Sequence, residues 1–114
     1  RVLDVKGTAA SYDCYNPKTH ERIQIKATTI RYDLTSFGPD SVWDVLYLLD
    51  FYRDGKFDGT YDVYKIPNDL IYGHQISKTQ TFRDQQKQGR RPRFGIKQKI
   101  IEKHNIKPVK TCKI

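Results

Sequence analysis

The sequence predicts an α+β fold: a mixed sheet of about four to five strands, flanked by helices that lie mainly toward the C-terminus. Three observations carry this expectation. Segment 21–29 alternates polar and apolar residues, the period of a strand with two unlike faces. Segment 41–52 is rich in Val, Leu, Trp, Tyr and Phe on both faces, as a central strand is. Segment 95–105 sets Ile96 and Ile100 four apart with Ile101 beside the second, a helical spacing. Strands come first and helices last, the order of an α+β domain.

Taken in order, residues 2–5 are a short apolar piece and 7–11 a loop of small residues. Residues 12–15 read as the end of a strand. Asn16-Pro17-Lys18-Thr19 is turn chemistry, since Pro presets φ and Asn favours the start of a turn. Segments 12–15 and 21–29 therefore form a hairpin. In its second strand Ile23, Ile25 and Ala27 share the face expected to be buried, and Arg22, Gln24, Lys26 and Thr28 share the polar one. Residues 36–40 are a loop, 41–52 the central strand and 53–56 a turn. Thr60–Ile66 returns as the partner strand, and Pro67 stops it for want of a ladder N–H. Asn68 is placed to cap a short helix before Asp69. Segment 85–93 is polar, basic and broken by Gly and Pro, so it reads as a loop. The helix over 95–105 ends before Pro108.

A chain of 114 residues is one domain at most, here 1–114. It has no Met, even at position 1, so a preceding segment is expected. Fourteen aromatics argue against disorder. No apolar run is long enough to span a membrane, and neither end carries the apolar stretch of a signal peptide. Cys14 and Cys112 make no disulfide framework and no CxxC metal spacing. They read as ordinary thiols of a reducing, cytoplasmic compartment.

The net charge of +8 is unevenly spread. Residues 1–66 hold nine Lys/Arg against ten Asp/Glu, a balance of −1; residues 67–114 hold twelve against three, a balance of +9. The natural partner of such a basic block is a polyanion, most often nucleic acid. Arg90, Arg91 and Arg93 sit in a loop leading to Lys97 and Lys99, and Arg suits bidentate contacts with phosphate or guanine. These five are the expected DNA-contacting residues, and Gln85, Gln86 and Gln88 are candidates for reading adenine edges.

The segment richest in chemistry is Asp13 followed by Gln24-Ile25-Lys26. Gln24 and Lys26 are two apart on one strand, so both project from one face. Pairing of the hairpin would bring the Asp13 carboxylate to them. A carboxylate, an amide oxygen and the backbone carbonyl of Ile25 are ligands suited to a hard cation such as Mg²⁺. Beside them, Lys26 would hold or deprotonate a water and stabilise developing charge, as phosphodiester hydrolysis requires.

Asp13, a ten-residue gap and Gln24-x-Lys26 on an alternating strand resemble the PD-(D/E)XK nuclease superfamily, in particular type II restriction endonucleases and the branch whose second motif reads QxK. The resemblance covers 7–29 with the motif and extends more loosely over 41–66. The Gly-Thr-Ala-Ala-Ser-Tyr-Asp lead-in, Thr35-Ser36-Phe37-Gly38-Pro39, the Arg-Pro-Arg-Phe-Gly-Ile-Lys stretch and Asn105-Ile106-Lys107-Pro108 also look like restriction-enzyme segments. It implies a restriction endonuclease-like core that hydrolyses double-stranded DNA with Mg²⁺ or Mn²⁺. It also implies a homodimer in which each chain cuts one strand. Asp13, Gln24 and Lys26 would be catalytic, with Asp13, Gln24 and the Ile25 carbonyl on the metal. Residues 1–66 would be the catalytic sheet core and 67–114 the basic, helical, DNA-contacting part. Tyr12 replaces the Pro of the motif and Gln24 its acid, which removes one negative charge from the metal site. Family members often carry a further Glu on an upstream helix, which would precede Arg1.

Other readings stay beside this one. Polar and Ile residues alternating along a strand also describe an ordinary half-exposed strand, and short motifs arise by chance. Glu21 sits near the hairpin turn and reads as solvated. Asp44 and Asp50 read as strand-end residues, and Asp54, Asp58 and Asp62 as turn chemistry. His20, His74 and His104 are scattered, which argues against zinc. A repair or junction-resolving nuclease of the same core, a non-catalytic nucleic-acid-binding module and a basic ribonucleoprotein component are the alternatives.

Overall fold

The computed structural model describes residues 13–52 and 58–113. The expectations for 2–5, 7–11, Tyr12 and the turn at 53–56 lie outside these residues. The fold is α+β. A curled mixed sheet has the strand order β1-β2-β4-β5-β7, and a small ribbon of β3 (Thr35–Ser36) and β6 (Arg93–Phe94) stands apart from it. Strand β1 is Cys14–Asn16 and β2 is Glu21–Thr28, antiparallel with Cys14 opposite Ile23. The intervening turn is closed by Asn16, whose Oδ1 accepts the Lys18 amide at 2.9 Å. His20 takes a positive φ of 62° to re-enter the sheet.

Strand β4 (Val45–Asp50) is central, as its apolar faces predict, and lies parallel to β2 and antiparallel to β5 (Thr60–Ile66). It begins later than the 41–52 run suggests. Trp43 is instead pinned by its Nε1, which donates to Asn68 Oδ1 at 2.7 Å, while Asn68 Nδ2 donates to the Asp44 carbonyl at 2.8 Å. Asn68 is thereby used up. It is the first residue of helix α1 (Asn68–Tyr72) and does not cap it.

Three other expectations are corrected. Segment 85–93 is not a loop throughout: helix α2 (Phe82–Lys87) opens on a Thr81/Asp84 capping box and buries Phe82, Gln85 and Gln86. The order does not end on helices, since β7 (Lys110–Lys113) adds to β5 as an edge strand after them. On β2 the buried side is the polar one: Gln24 and Thr28 are buried, Ile23 and Ile25 are half-buried and Ala27 is exposed. Alternation predicts two faces but not which is covered; the covered one carries Lys26, whose Nζ meets the Ser36 carbonyl and the Phe37 ring.

The helix expected over 95–105 is real but wide. Lys97–Glu102 is a π-helical segment, and the Ile106 amide reaches back five residues to the Ile101 carbonyl at 2.9 Å. Ile96, Ile100 and Ile101 are buried, as their spacing predicts. The core joins both halves of the chain: Phe37, Trp43, Leu46 and Leu48 pack with Ile71, Phe82, Phe94 and Ile96. Cys14 and Cys112 are free thiols on opposite edges of the sheet, about four strand spacings of roughly 4.8 Å apart, too far to bridge. Among the described residues no helix is long and apolar enough to cross a membrane.

Buried Asp33 holds the ribbon and the π-helical segment together. Its Oδ2 accepts the Ile96 amide at 2.9 Å and its Oδ1 the Lys97 amide at 2.8 Å, and Thr35 Oγ1 donates to Oδ2. A Cβ at Gly95 would stand 2.8 Å from the Asp33 carbonyl oxygen, so only glycine fits there. Asp33→Ala strands two amide donors, which costs about 2–3 kcal/mol. Urea denaturation should show that loss with an unchanged m value. A loss under about 0.5 kcal/mol, the size of an ordinary surface change, would mean that the cap is dispensable.

Candidate active site

The β1–β2 hairpin builds the site. Its register stops at Cys14 opposite Ile23, which leaves Asp13 beside the next turn of the ladder. The Asp13 amide donates to the Ile23 carbonyl at 2.9 Å. Its side chain then takes over from the main chain: Asp13 Oδ2 accepts the Ile25 amide at 2.7 Å. In a strand the N–H and C=O of one residue point to the same side. The Ile25 carbonyl is therefore on the Asp13 edge, while the Arg22 and Thr28 carbonyls face β4, where they accept amides of Asp44 and Phe51.

Gln24 and Lys26 share the inward face. Gln24 is only 7% exposed, and its Oε1 is enclosed with no hydrogen-bond partner among the described residues. An acceptor left unsatisfied in a protein interior costs about 1–3 kcal/mol, so such an atom calls for an explanation. Lys26 is half-buried. Its Nζ donates to the Ser36 carbonyl at 3.0 Å and sits 4.8 Å from the centre of the Phe37 ring. Burial holds the Lys26 ammonium below the usual lysine pKa; Asp13 opposes that shift and Arg91 adds to it. The three sequence-predicted residues are thus brought to one place, with Asp13 and Arg91 both in electrostatic reach of Lys26.

The donors on offer are one carboxylate, one orphaned amide oxygen and one main-chain carbonyl. All are oxygens, the set a hard divalent cation takes. Among the described residues no three His, Cys, Asp or Glu side chains converge, so the acidic share of the site rests on Asp13. Of the other acids singled out in the sequence, Asp54 lies outside the described residues and the rest are engaged elsewhere. Asp44 receives the Arg22 guanidinium at 3.0 and 3.1 Å and the Arg22 amide at 2.7 Å, which lowers its pKa. Asp50 is buried in an ion pair with Lys97 at 3.0 Å. Glu21 accepts from Thr19, Asp58 accepts the Thr60 amide in its turn, and Asp62 lies in β5, where it accepts from Thr111.

The basic residues divide as well. Arg90 is exposed and donates to Gln80 Oε1 at 2.7 Å. Arg91, Arg93 and Lys99 are exposed. Lys97 is not available to a ligand, because its ammonium is spent on Asp50 and the Ile30 carbonyl. Gln85 and Gln86 are buried, and Gln86 Nε2 donates to the Gly38 and Ser41 carbonyls at 3.0 and 3.1 Å; neither can read a base edge. Sequence reasoning missed the 36–38 segment as the wall of the site. A Cβ on Gly38 would come 3.3 Å from Arg91 Nη1, so this glycine lets Arg91 lie close beside the segment that holds Lys26. In the sequence this segment shows only as a Gly-Pro loop and as part of a restriction-enzyme-like stretch, with nothing that ties it to Lys26.

Residues 2–103 match the family model of the Bsp6I restriction endonuclease. The type II restriction enzyme Bsp6I of Bacillus sp. (strain RFL6) is 43% identical over 100 residues, which is 85% of this chain and 56% of that enzyme. The chain thus spans a little over half the length of this curated relative. No solved structure matches it. The chain belongs to the Bsp6I restriction endonuclease family.

Proposed function

We propose that the chain is the core of a type II restriction enzyme: a metal-dependent endonuclease that hydrolyses phosphodiester bonds of double-stranded DNA. In this reading it is a PD-(D/E)XK nuclease whose second acid is replaced by Gln24. The observation that carries the reading is the buried, orphaned Gln24 oxygen on the strand face that also carries Lys26, with Asp13 bonded to the intervening Ile25 amide. Asp13, Gln24 and the Ile25 carbonyl would hold Mg²⁺ or Mn²⁺. Such a cation, when bound, supplies polarisation of the phosphate and acidification of a bound water. Asp13 fixes the edge of β2 through the Ile25 amide, so its remaining oxygen has a defined position. Lys26, anchored by the Ser36 carbonyl, orients or deprotonates the attacking water; its lowered pKa brings the proton-accepting amine closer to neutral pH.

Arg90, Arg91, Arg93 and Lys99 would meet the DNA backbone. Residues 1–66 would carry the chemistry and 67–114 the DNA contacts, although both build one core. A homodimer, with one strand cut by each chain, suits a duplex substrate.

The first test is cleavage of supercoiled plasmid by the full chain with and without Mg²⁺. Asp13→Ala and Lys26→Ala should each lower the rate by about 10²–10³-fold, the scale of losing one transition-state charge contact, while binding persists. Uncut DNA in every lane with binding retained would leave a nucleic-acid-binding module. A second test follows from the Lys26 environment. Arg91 lowers its pKa, so Arg91→Gln must raise it and move the Lys26-dependent limb of the pH–rate profile to higher pH. A limb that stays in place or moves down would separate Arg91 from the site.

A further inference from the structure

Apart from this pocket, and sharing none of its three residues, a cleft of about 850 Å³ opens between α1, β6 (Arg93–Phe94) and the π-helical segment. That is a size suited to a small ligand. Its floor is apolar, made by Leu70, Ile76, Phe94 and Ile100. The His74 ring lies on the Phe94 ring, with centroids 4.4 Å apart and planes at 29°.

Its rim is basic: Arg93, Lys99 and Lys103, with His74 and His104. Two acids also line it. Asp33 has both oxygens on main-chain amides, and Asp69 lies on α1. Neither pairs with a rim cation among the described residues. His74 records the crowding: burial, then Lys103, Lys99 and His104, hold its pKa below the usual histidine value. Cations gathered over a concavity without paired acids repel one another until an anion enters. The π-helical segment on this side is a rare backbone form that recurs at functional sites.

We propose that this cleft is a non-catalytic anion site for one phosphate of a nucleic-acid strand, whose sugar or base lies against the Phe94–His74 floor. The inference deepens the nuclease reading and rests on it. The path between the two sites is short in covalent terms. Arg93 pairs with Ser36, whose carbonyl holds Lys26, and Arg91, two residues back, faces the Lys26 wall. One strand of DNA can therefore touch the pocket through Arg91 and the cleft through Arg93.

The test measures binding by the full chain, by fluorescence anisotropy with a labelled DNA duplex in EDTA, so that no cleavage is needed. The double variant Lys99→Gln/Lys103→Gln should bind about tenfold more weakly at low salt, and its salt slope should fall by about 1, the share of one phosphate. Lys110→Gln/Lys113→Gln on the edge strand β7, a matched loss of two charges outside the cleft, should keep both values. Phosphate in the cleft favours the charged histidine, so wild-type affinity should rise from about pH 8 to about pH 6 and His74→Gln should flatten the rise. Unchanged affinity and slope in the double variant would overturn the site. Sensitivity to inorganic phosphate alone, with duplex binding unaltered, would overturn its assignment to nucleic acid. Weaker binding by the variant of a protein that never cuts plasmid would uphold the cleft while the nuclease reading fails; normal binding by the variant of a protein that does cut would sink the cleft alone.

Discussion

Burial of Phe37 is the constraint on which the rest of the structure depends. The ring lies 5.2 Å from Trp43, 5.0 Å edge-on from Phe82 and 6.3 Å from Phe94. Each neighbour comes from a different part of the chain: the approach to β4, helix α2 and strand β6. Aromatic contacts of this kind are worth about 0.5–1.5 kcal/mol each beyond area burial. On its other side Phe37 meets the Lys26 ammonium, and its amide donates to the Pro92 carbonyl at 3.0 Å. One side chain thus sets the spacing between the sheet, the ribbon and the helices. The pocket is positioned because the hydrophobic cluster beneath it is.

Charge is arranged by the same logic. The two halves differ by sign in the sequence, but the folded chain interlocks them. Asp50 and Asp33 from the front receive Lys97 and the amides of Ile96 and Lys97 from the back. A buried ion pair of this kind gives little net stability against an apolar replacement, yet breaking one partner is costly. It fixes where the basic segment sits. Arg90, Arg91, Arg93 and Lys99 form no ion pair among the described residues, and Arg91 lies within electrostatic reach of Lys26.

Much of this was legible in the sequence. The hairpin could be read because the Asn16-Pro17 turn and the alternation around Gln24 and Lys26 are both local signals. The same alternation could not tell which face is covered, because the residues that meet Lys26 there, Ser36 and Phe37, lie outside the hairpin. Helix α2 was hidden by its polar, Gln-rich composition, although Thr81-Phe82-Arg83-Asp84 carries the capping spacing. Strand β7 reads as a basic tail because lysines are what an edge strand carries to avoid further pairing. The two-residue strands β3 and β6 are too short for any period to show. That Asp13, Gln24 and Lys26 lie together was legible because the hairpin turn and the two-residue spacing on one strand suffice to place them. Arg91 stood out only as one arginine of a loop, since nothing local ties it to β2.

The Ser36 carbonyl that holds Lys26 belongs to a ribbon whose other strand is Arg93–Phe94. Asp13, Gln24 and Lys26 leave the ribosome well before that strand does. The pocket therefore lacks its wall until Arg93 and Phe94 have been made and have folded back onto Thr35 and Ser36. Such an order of assembly is a form of restraint: a chain that stops short of Arg93 holds Asp13, Gln24 and Lys26 but not the ribbon that presents the Ser36 carbonyl to Lys26.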